Sequence, residues 1–285
     1  MAALIDDTLK PLPVEAVRML AIDLDGTLLR SDGTISAASV KAVRAACAKG
    51  IRVVLATARP PRGSVKAYKL LELDTLTVCH NGALILDAGH GRVVDHVPLE
   101  GAVARRAVEI ARKVGGMTRL GVDVIDTLHT DASNGKAGNP GASAPGEAMQ
   151  QPQPAIPFDQ VLNKPVTKVF MTGDPGRLAG VQSAVHQAMQ DQVAFATSHL
   201  QLLQIVRAGV DKAAGLAKVA QHYGIPRESV MVIGDAPNDL GMFKWAGLSV
   251  AMKNGWRDVL KAAHFVVPSN DDDGVAEAIE RYVLS

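Results

Sequence analysis

Two carboxylates stand two residues apart in "AIDLDGTLL", Ala21 to Leu29, at the end of an apolar run of strand formers. In an extended strand residues i and i+2 point to one side, so Asp23 and Asp25 are expected to crowd together unless something positive lies between them. The spacing allows a division of labour. One carboxylate can attack phosphorus and form an acyl phosphate, splitting a hard displacement into two easier steps. The other can protonate the leaving alkoxide and then deprotonate the attacking water. Asp23 reads as the nucleophile and Asp25 as the acid/base, with Gly26 letting the chain turn sharply behind them.

Three further groups of polar residues follow apolar runs in the same way: Thr57 with Arg59 in "LATAR", Lys212 in "GVDKAAGL", and Asp235 with Asn238 and Asp239 in "GDAPND". Ligands of open α/β sheets bind beyond the carboxyl ends of the strands, so these groups should converge on Asp23 and Asp25. Hard oxygen donors with one ammonium and one hydroxyl suit Mg²⁺ together with a phosphoryl group. Arg59 is ambiguous, as a surface ion pair is as good a reading as a functional one. An EF-hand is excluded, because its third ligand position holds Thr27 and its required Gly is Leu28.

The elements that must position these residues alternate. The run from Val17 to Leu24 reads as a buried strand, and Ser36 can cap a helix with Val40, Val43 and Cys47 at helical spacing. "IRVVLATAR" is a second strand, followed by a helix that starts at Pro61. Such alternation implies a parallel sheet with right-handed crossovers. "LTVCHNGALIL" carries an Asn-Gly hairpin signal, after which the pattern becomes irregular, with helices expected over Val103–Lys113 and Arg177–Met189 and a strand at "KVFMTG". The alternation resumes with "LLQIV". The expected division is a core of residues 1–86 and 200–285 around an inserted α/β cap, 87–199. Within the cap, about 131–157 is rich in Gly, Pro, Ala, Ser and Gln with almost no large apolar residue, and reads as a mobile loop.

The bulk composition narrows the class. The 285 residues are 47% hydrophobic and carry a net charge of +1, which gives no electrostatic footprint for nucleic acid or an anionic membrane. The N-terminus lacks a signal-peptide pattern and no apolar run reaches spanning length, so a cytoplasmic protein is expected. Cys47 and Cys79 read as core thiols, and Trp245 and Trp256 as core packing. Asp271, Asp272 and Asp273 suit a helix start, favoured by the macrodipole, better than a metal site. The histidines have no zinc-ligand spacing, and no Gly-rich dinucleotide fingerprint follows a strand.

"DLDGT", "LATAR", the Lys of "GVDKAAGL" and "GDAPNDLGM" resemble the four ordered motifs of the haloacid dehalogenase superfamily. "HNGALI" and "SVAMKNGWRDVLKAAHFVVPSNDDDGVAEAI" resemble its Cof-type branch. The resemblance implies a Rossmann-like core with an inserted cap and a Mg²⁺-dependent phosphatase acting on a sugar phosphate or phosphorylated cofactor through an aspartyl-phosphate. It implies Mg²⁺ held by the Asp23 carboxylate, the Asp25 carbonyl and Asp235, with Asp239 in support. Phosphate would be held by the Leu24 and Ala58 amides, the Thr57 hydroxyl, Lys212 and Asn238. Two departures, Ala-Pro in "GDAPND" and the missing Gly after the Lys in "DKAAGL", touch loop shape more than chemistry. A phosphomutase and a non-enzymatic phosphometabolite-binding protein are the alternatives, and neither the substrate nor the oligomeric state is legible.

Overall fold

The computed structural model describes residues 17–131 and 157–285. Its elements in chain order are β1 (Met19–Ile22), α1 (Ala37–Ala48), β2 (Arg52–Leu55), α2 (Pro61–Leu70), β3 (Leu76–Cys79), β4 (Leu84–Asp87), β5 (Arg92–His96), α3 (Gly101–Val114), β6 (Met117–Val124), β7 (Thr127–Thr130) and α4 (Phe158–Val161). They continue as β8 (Lys168–Gly173), α5 (Pro175–Met189), β9 (Val193–His199), β10 (Leu202–Arg207), α6 (Lys212–His222), β11 (Val230–Gly234), α7 (Leu240–Trp245), β12 (Leu248–Met252), α8 (Arg257–Ala262), β13 (Phe265–Val267) and α9 (Gly274–Ile279).

Among the described residues, the first sheet is parallel, in the order β13-β12-β11-β1-β2. β3 extends it through a parallel bridge between Ala56 and Val78. Both faces of β1 are buried, Leu20 and Ile22 against a cluster that includes α1, α2 and α9, and Met19 and Ala21 against one built with α6, α7 and α8. A strand covered on both sides reads as a continuous apolar run, which is why "MLAI" carries no alternation. The helix starts follow the expected chemistry: the Ser36 hydroxyl accepts from the Ser39 N–H and Pro61 opens α2. Cys79 is buried and Cys47 half-buried, both free thiols. Trp245 and Trp256 pack partly buried against the second of these clusters.

The second sheet is antiparallel, in the order β7-β6-β8-β10-β9. One face buries Val169, Met171, Leu203 and Ile205 against α3 and α5. On alternate positions Lys168, Phe170 and Gln204 are buried toward the first unit. The helices and the strand "KVFMTG" fall where their periodicity placed them.

Two expectations need correction, and a third lies outside the described residues. "LLQIV", assigned to the core, is β10 of the second sheet and pairs antiparallel with β8 and β9. A short apolar run does not reveal its partners. Asp273 stands at the N-cap position of α9, but its side chain makes no capping hydrogen bond there. Asp271 accepts from the Ser31 N–H and hydroxyl at 2.9 and 2.6 Å, and Asp273 pairs with Arg30 at 2.7 Å. The loop of about 131–157 lies outside the described residues except at its ends, where Asp131 pairs with Arg112 at 2.8 Å and Pro157 leads into α4.

Candidate active site

Beyond the carboxyl ends of β1, β2 and β11 lies a buried cluster of charge. Asp23 follows β1 and is 4% exposed, while Lys212 and Asp239 are wholly buried. Lys212, first residue of α6, donates from Nζ to Asp23 Oδ1 at 2.5 Å and to Asp239 Oδ1 at 2.6 Å. Its helix starts here because the Asp211 carboxylate accepts from the Ala214 N–H. Asp239 Oδ2 accepts from the Asp235 and Ala236 N–H groups at 2.9 and 3.0 Å, and the Thr27 hydroxyl donates to Asp235 Oδ1 at 2.7 Å. Asp23, Asp235 and Asp239 each offer an oxygen within 4.8 Å of the other two.

The electrostatics follow from burial. Desolvation raises the Asp23 carboxyl well above its usual range even though Lys212 opposes it. Burial, with Asp239 beside it, pushes Asp235 up to about 7. Burial alone would lower the Lys212 ammonium, but Asp23 and Asp239 outweigh it and hold it above its usual value. Three carboxylates therefore face one ammonium in a desolvated site, an excess of negative charge that a dication would offset.

Asp25 departs from the expected geometry. β1 ends at Ile22, so the two aspartates lie in a turn rather than on one strand face. Asp25 is exposed and is gripped by Arg59, whose Nε and Nη2 reach its two oxygens at 2.7 and 2.5 Å. The planar fork of Arg matches a carboxylate in this way. Behind it, a Cβ at Gly26 (φ +76°) would lie 2.4 Å from Asp235 Oδ2, so only glycine lets Asp235 come this close.

The remaining predicted residues gather around the same place. Thr57 is buried and its hydroxyl accepts from the Arg59 N–H at 3.1 Å. The Ala58 carbonyl accepts from Lys168 Nζ of β8 at 3.0 Å, joining this loop to the second sheet. Leu24 is fully buried in the turn, its carbonyl accepting from the Leu29 N–H. Asn238 donates from Nδ2 to Asn81 Oδ1 at 2.8 Å. Sequence reasoning missed Asn81, Thr27 and Asn254, which donates to the Gly26 carbonyl at 2.8 Å. "NG" signalled the turn, but nothing in it reveals where the Asn81 side chain points.

A parallel α/β sheet with such a cluster at its carboxyl edge, and an α/β insertion above it, defines a hydrolase fold. Residues 20–279 match the haloacid dehalogenase-like hydrolase family. The chain belongs to that family, in its Cof-type branch, and is a phosphatase of the class that cleaves phosphate monoesters. It is 31% identical over 278 residues to the 5-amino-6-(5-phospho-D-ribitylamino)uracil phosphatase YitU of Bacillus subtilis, covering 93% of this chain and 97% of that one. A haloacid dehalogenase-like hydrolase from Bacteroides thetaiotaomicron is similar in structure, with a TM-score of 0.79 at 32% identity over 93% of this chain and 99% of that one. The HAD subclass IIB sugar phosphatase BT4131 shares the fold, with a TM-score of 0.78 at 21% identity over 93% and 99%. No helix among the described residues is long and apolar enough to cross a membrane.

Proposed function

We propose that this chain hydrolyses a small phosphorylated metabolite, a sugar phosphate or a phosphorylated cofactor, through a covalent aspartyl-phosphate on Asp23. The observation that carries the reading is the contact of buried Lys212 with both Asp23 and Asp239. An ammonium beside the nucleophile is placed to meet the charge of a phosphoryl group. In the first step an Asp23 oxygen bonds to phosphorus while the ester P–O bond breaks, and Asp25 gives its proton to the departing alkoxide. In the second, Asp25 takes a proton from water, whose oxygen displaces the Asp23 carboxylate and releases inorganic phosphate. The Leu24 and Ala58 amides, Thr57 and Lys212 would bind the phosphoryl oxygens, while Asn238, expected among them, has its Nδ2 engaged by Asn81.

The donor set fits Mg²⁺, since it is made of hard carboxylate and carbonyl oxygens whose charge exceeds what Lys212 balances. Asp23, the Asp25 carbonyl and Asp235 would hold the ion. Asp239, both of whose oxygens already accept hydrogen bonds, would orient Lys212 and the Asp235 turn. When bound, Mg²⁺ supplies electrostatic stabilisation of the transferring phosphoryl group. The second unit, roughly residues 87–207, would act as the cap that selects the leaving group.

The test is a phosphate-release screen over phosphorylated metabolites with and without Mg²⁺, with Asp23→Asn as the blank. Release that needs Mg²⁺ and is lost in the blank is the expected result. Asp23→Asn retaining more than about a hundredth of the wild-type rate, which positioning and electrostatics alone could sustain, would overturn the covalent route.

A further inference from the structure

The turn between β3 and β4 is left-handed at three successive residues: His80, Asn81 and Gly82 have φ of +51°, +55° and +94°. Outside glycine this conformation is strained and collects at ligand sites, and Asn tolerates it better than most. The turn is tied to the loop that carries Thr57 and Ala58. The His80 N–H donates to the Arg59 carbonyl and the Asn81 N–H to the Thr57 carbonyl, both at 3.0 Å.

This backbone delivers the buried carboxamide of Asn81 to the half-buried one of Asn238. Asn81 is 1% exposed, and its Oδ1 accepts from Asn238 Nδ2. Its own Nδ2 and the Oδ1 of Asn238 are buried without a partner. Both residues line a cavity of about 170 Å³ with Lys212, Pro237 and, from β9, Phe195 and Ala196. The cavity therefore adjoins the lysine that touches Asp23. Exchanging nitrogen and oxygen in both amides leaves the same remainder, one donor and one acceptor.

Leaving a buried donor and a buried acceptor unsatisfied costs each its desolvation penalty. A phosphoryl dianion accepts hydrogen bonds but has no proton to give, so it can satisfy only the donor. An alcohol does both. Resting on the phosphatase reading above, we propose that Asn81 and Asn238 form a hydroxyl-reading subsite: Asn81 donates to, and Asn238 accepts from, a substrate hydroxyl close to the phosphate ester. The substrate class selected is a phosphorylated polyol, with Phe195 closing the subsite from the second sheet.

The experiment compares kcat/KM for D-ribitol 5-phosphate and its 4-deoxy analogue, with p-nitrophenyl phosphate as a measure of phosphatase activity that has no neighbouring hydroxyl. Wild type should prefer the hydroxylated ester by about tenfold or more. Asn81→Gly, which keeps the left-handed backbone, and Asn81→Asp, which keeps the acceptor and loses the donor, should bring that ratio toward one. A ratio is internal to each variant, so a general loss of folded enzyme does not mimic the result. A wild-type ratio near one, an unchanged ratio in both variants, or turnover of p-nitrophenyl phosphate with neither polyol ester would overturn the subsite and leave the phosphatase reading standing. Failure to hydrolyse all three esters would overturn that reading and the subsite with it.

Discussion

Asp25 reaches the proposed reaction already held by a neighbour. Both its oxygens are engaged by Arg59, which is itself anchored by Nη1 on the Gly63 carbonyl at 3.2 Å, so the guanidinium fixes where the acid/base points. Arg59→Lys should not rescue this, because an ammonium cannot reproduce a two-point fork. We expect Arg59→Ala and Arg59→Lys both to lower kcat by roughly 10–100-fold, the worth of hydrogen bonds to a charged group at about 1.5–3 kcal/mol. Steady-state kinetics decide it, and unchanged kcat in both variants would reduce the pair to a surface contact. At this scale the sequence predicted that the acids and the lysine converge, and Asp23, Asp235, Asp239 and Lys212 do meet, because order and spacing carry that signal. It could not name Asp25's partner, since i,i+2 reasoning assumes a strand and β1 stops at Ile22.

The elements matter here by where their ends lie. α6 must present Lys212 to Asp23, and its first turn packs on the β3–β4 turn: a Cβ at Gly82 would lie 2.0 Å from the Asp211 carbonyl. Gly82→Ala must therefore push back the N-terminus of α6 as well as strain a backbone at φ +94°. Gly33 is the control, because its φ is +79° but nothing lies within 4 Å of a Cβ there. Gly33→Ala should cost about 1–2 kcal/mol of stability in denaturant unfolding, from conformation alone, and leave kcat close to wild type. Gly82→Ala should cost more than that and lower kcat. Equal effects of the two would show that the contact with Asp211 does not position Lys212. Helix starts and buried parallel strands were legible from caps and apolar runs. Sheet membership was not, as β10 shows: its pairing with β8 and β9 is decided by contacts far away in the chain.

Partly buried polar contacts join the two units of the molecule. Arg62 of α2 donates to Asp123 Oδ1 and to the Asp126 carbonyl, both at 2.8 Å, Lys168 reaches the Ala58 carbonyl, and His80 Nε2 meets the Ile125 carbonyl at 2.6 Å. His80 is fully buried. Burial first, and then the charge of Lys168, lower its pKa to about 3, with Asp123 opposing. The imidazole is therefore neutral in the fold and donates from Nε2. In the unfolded chain it titrates near 6.5, the ordinary value of a histidine. Between about 6.5 and 3 the unfolded state binds a proton that the folded state refuses, so this residue's contribution to stability is complete above 6.5 and is lost as pH falls through that window. Its slope is about 1.4 kcal/mol per pH unit. His80→Asn, which suits the left-handed backbone and does not titrate, should remove that slope while the other carboxylates and histidines keep theirs. The measurement is denaturant unfolding of wild type and variant at several pH values from 4 to 7. The difference in stability between them should shrink or reverse as pH falls. A constant difference would mean that His80 binds its proton equally in both states, and that the contact with Ile125 tolerates an imidazolium.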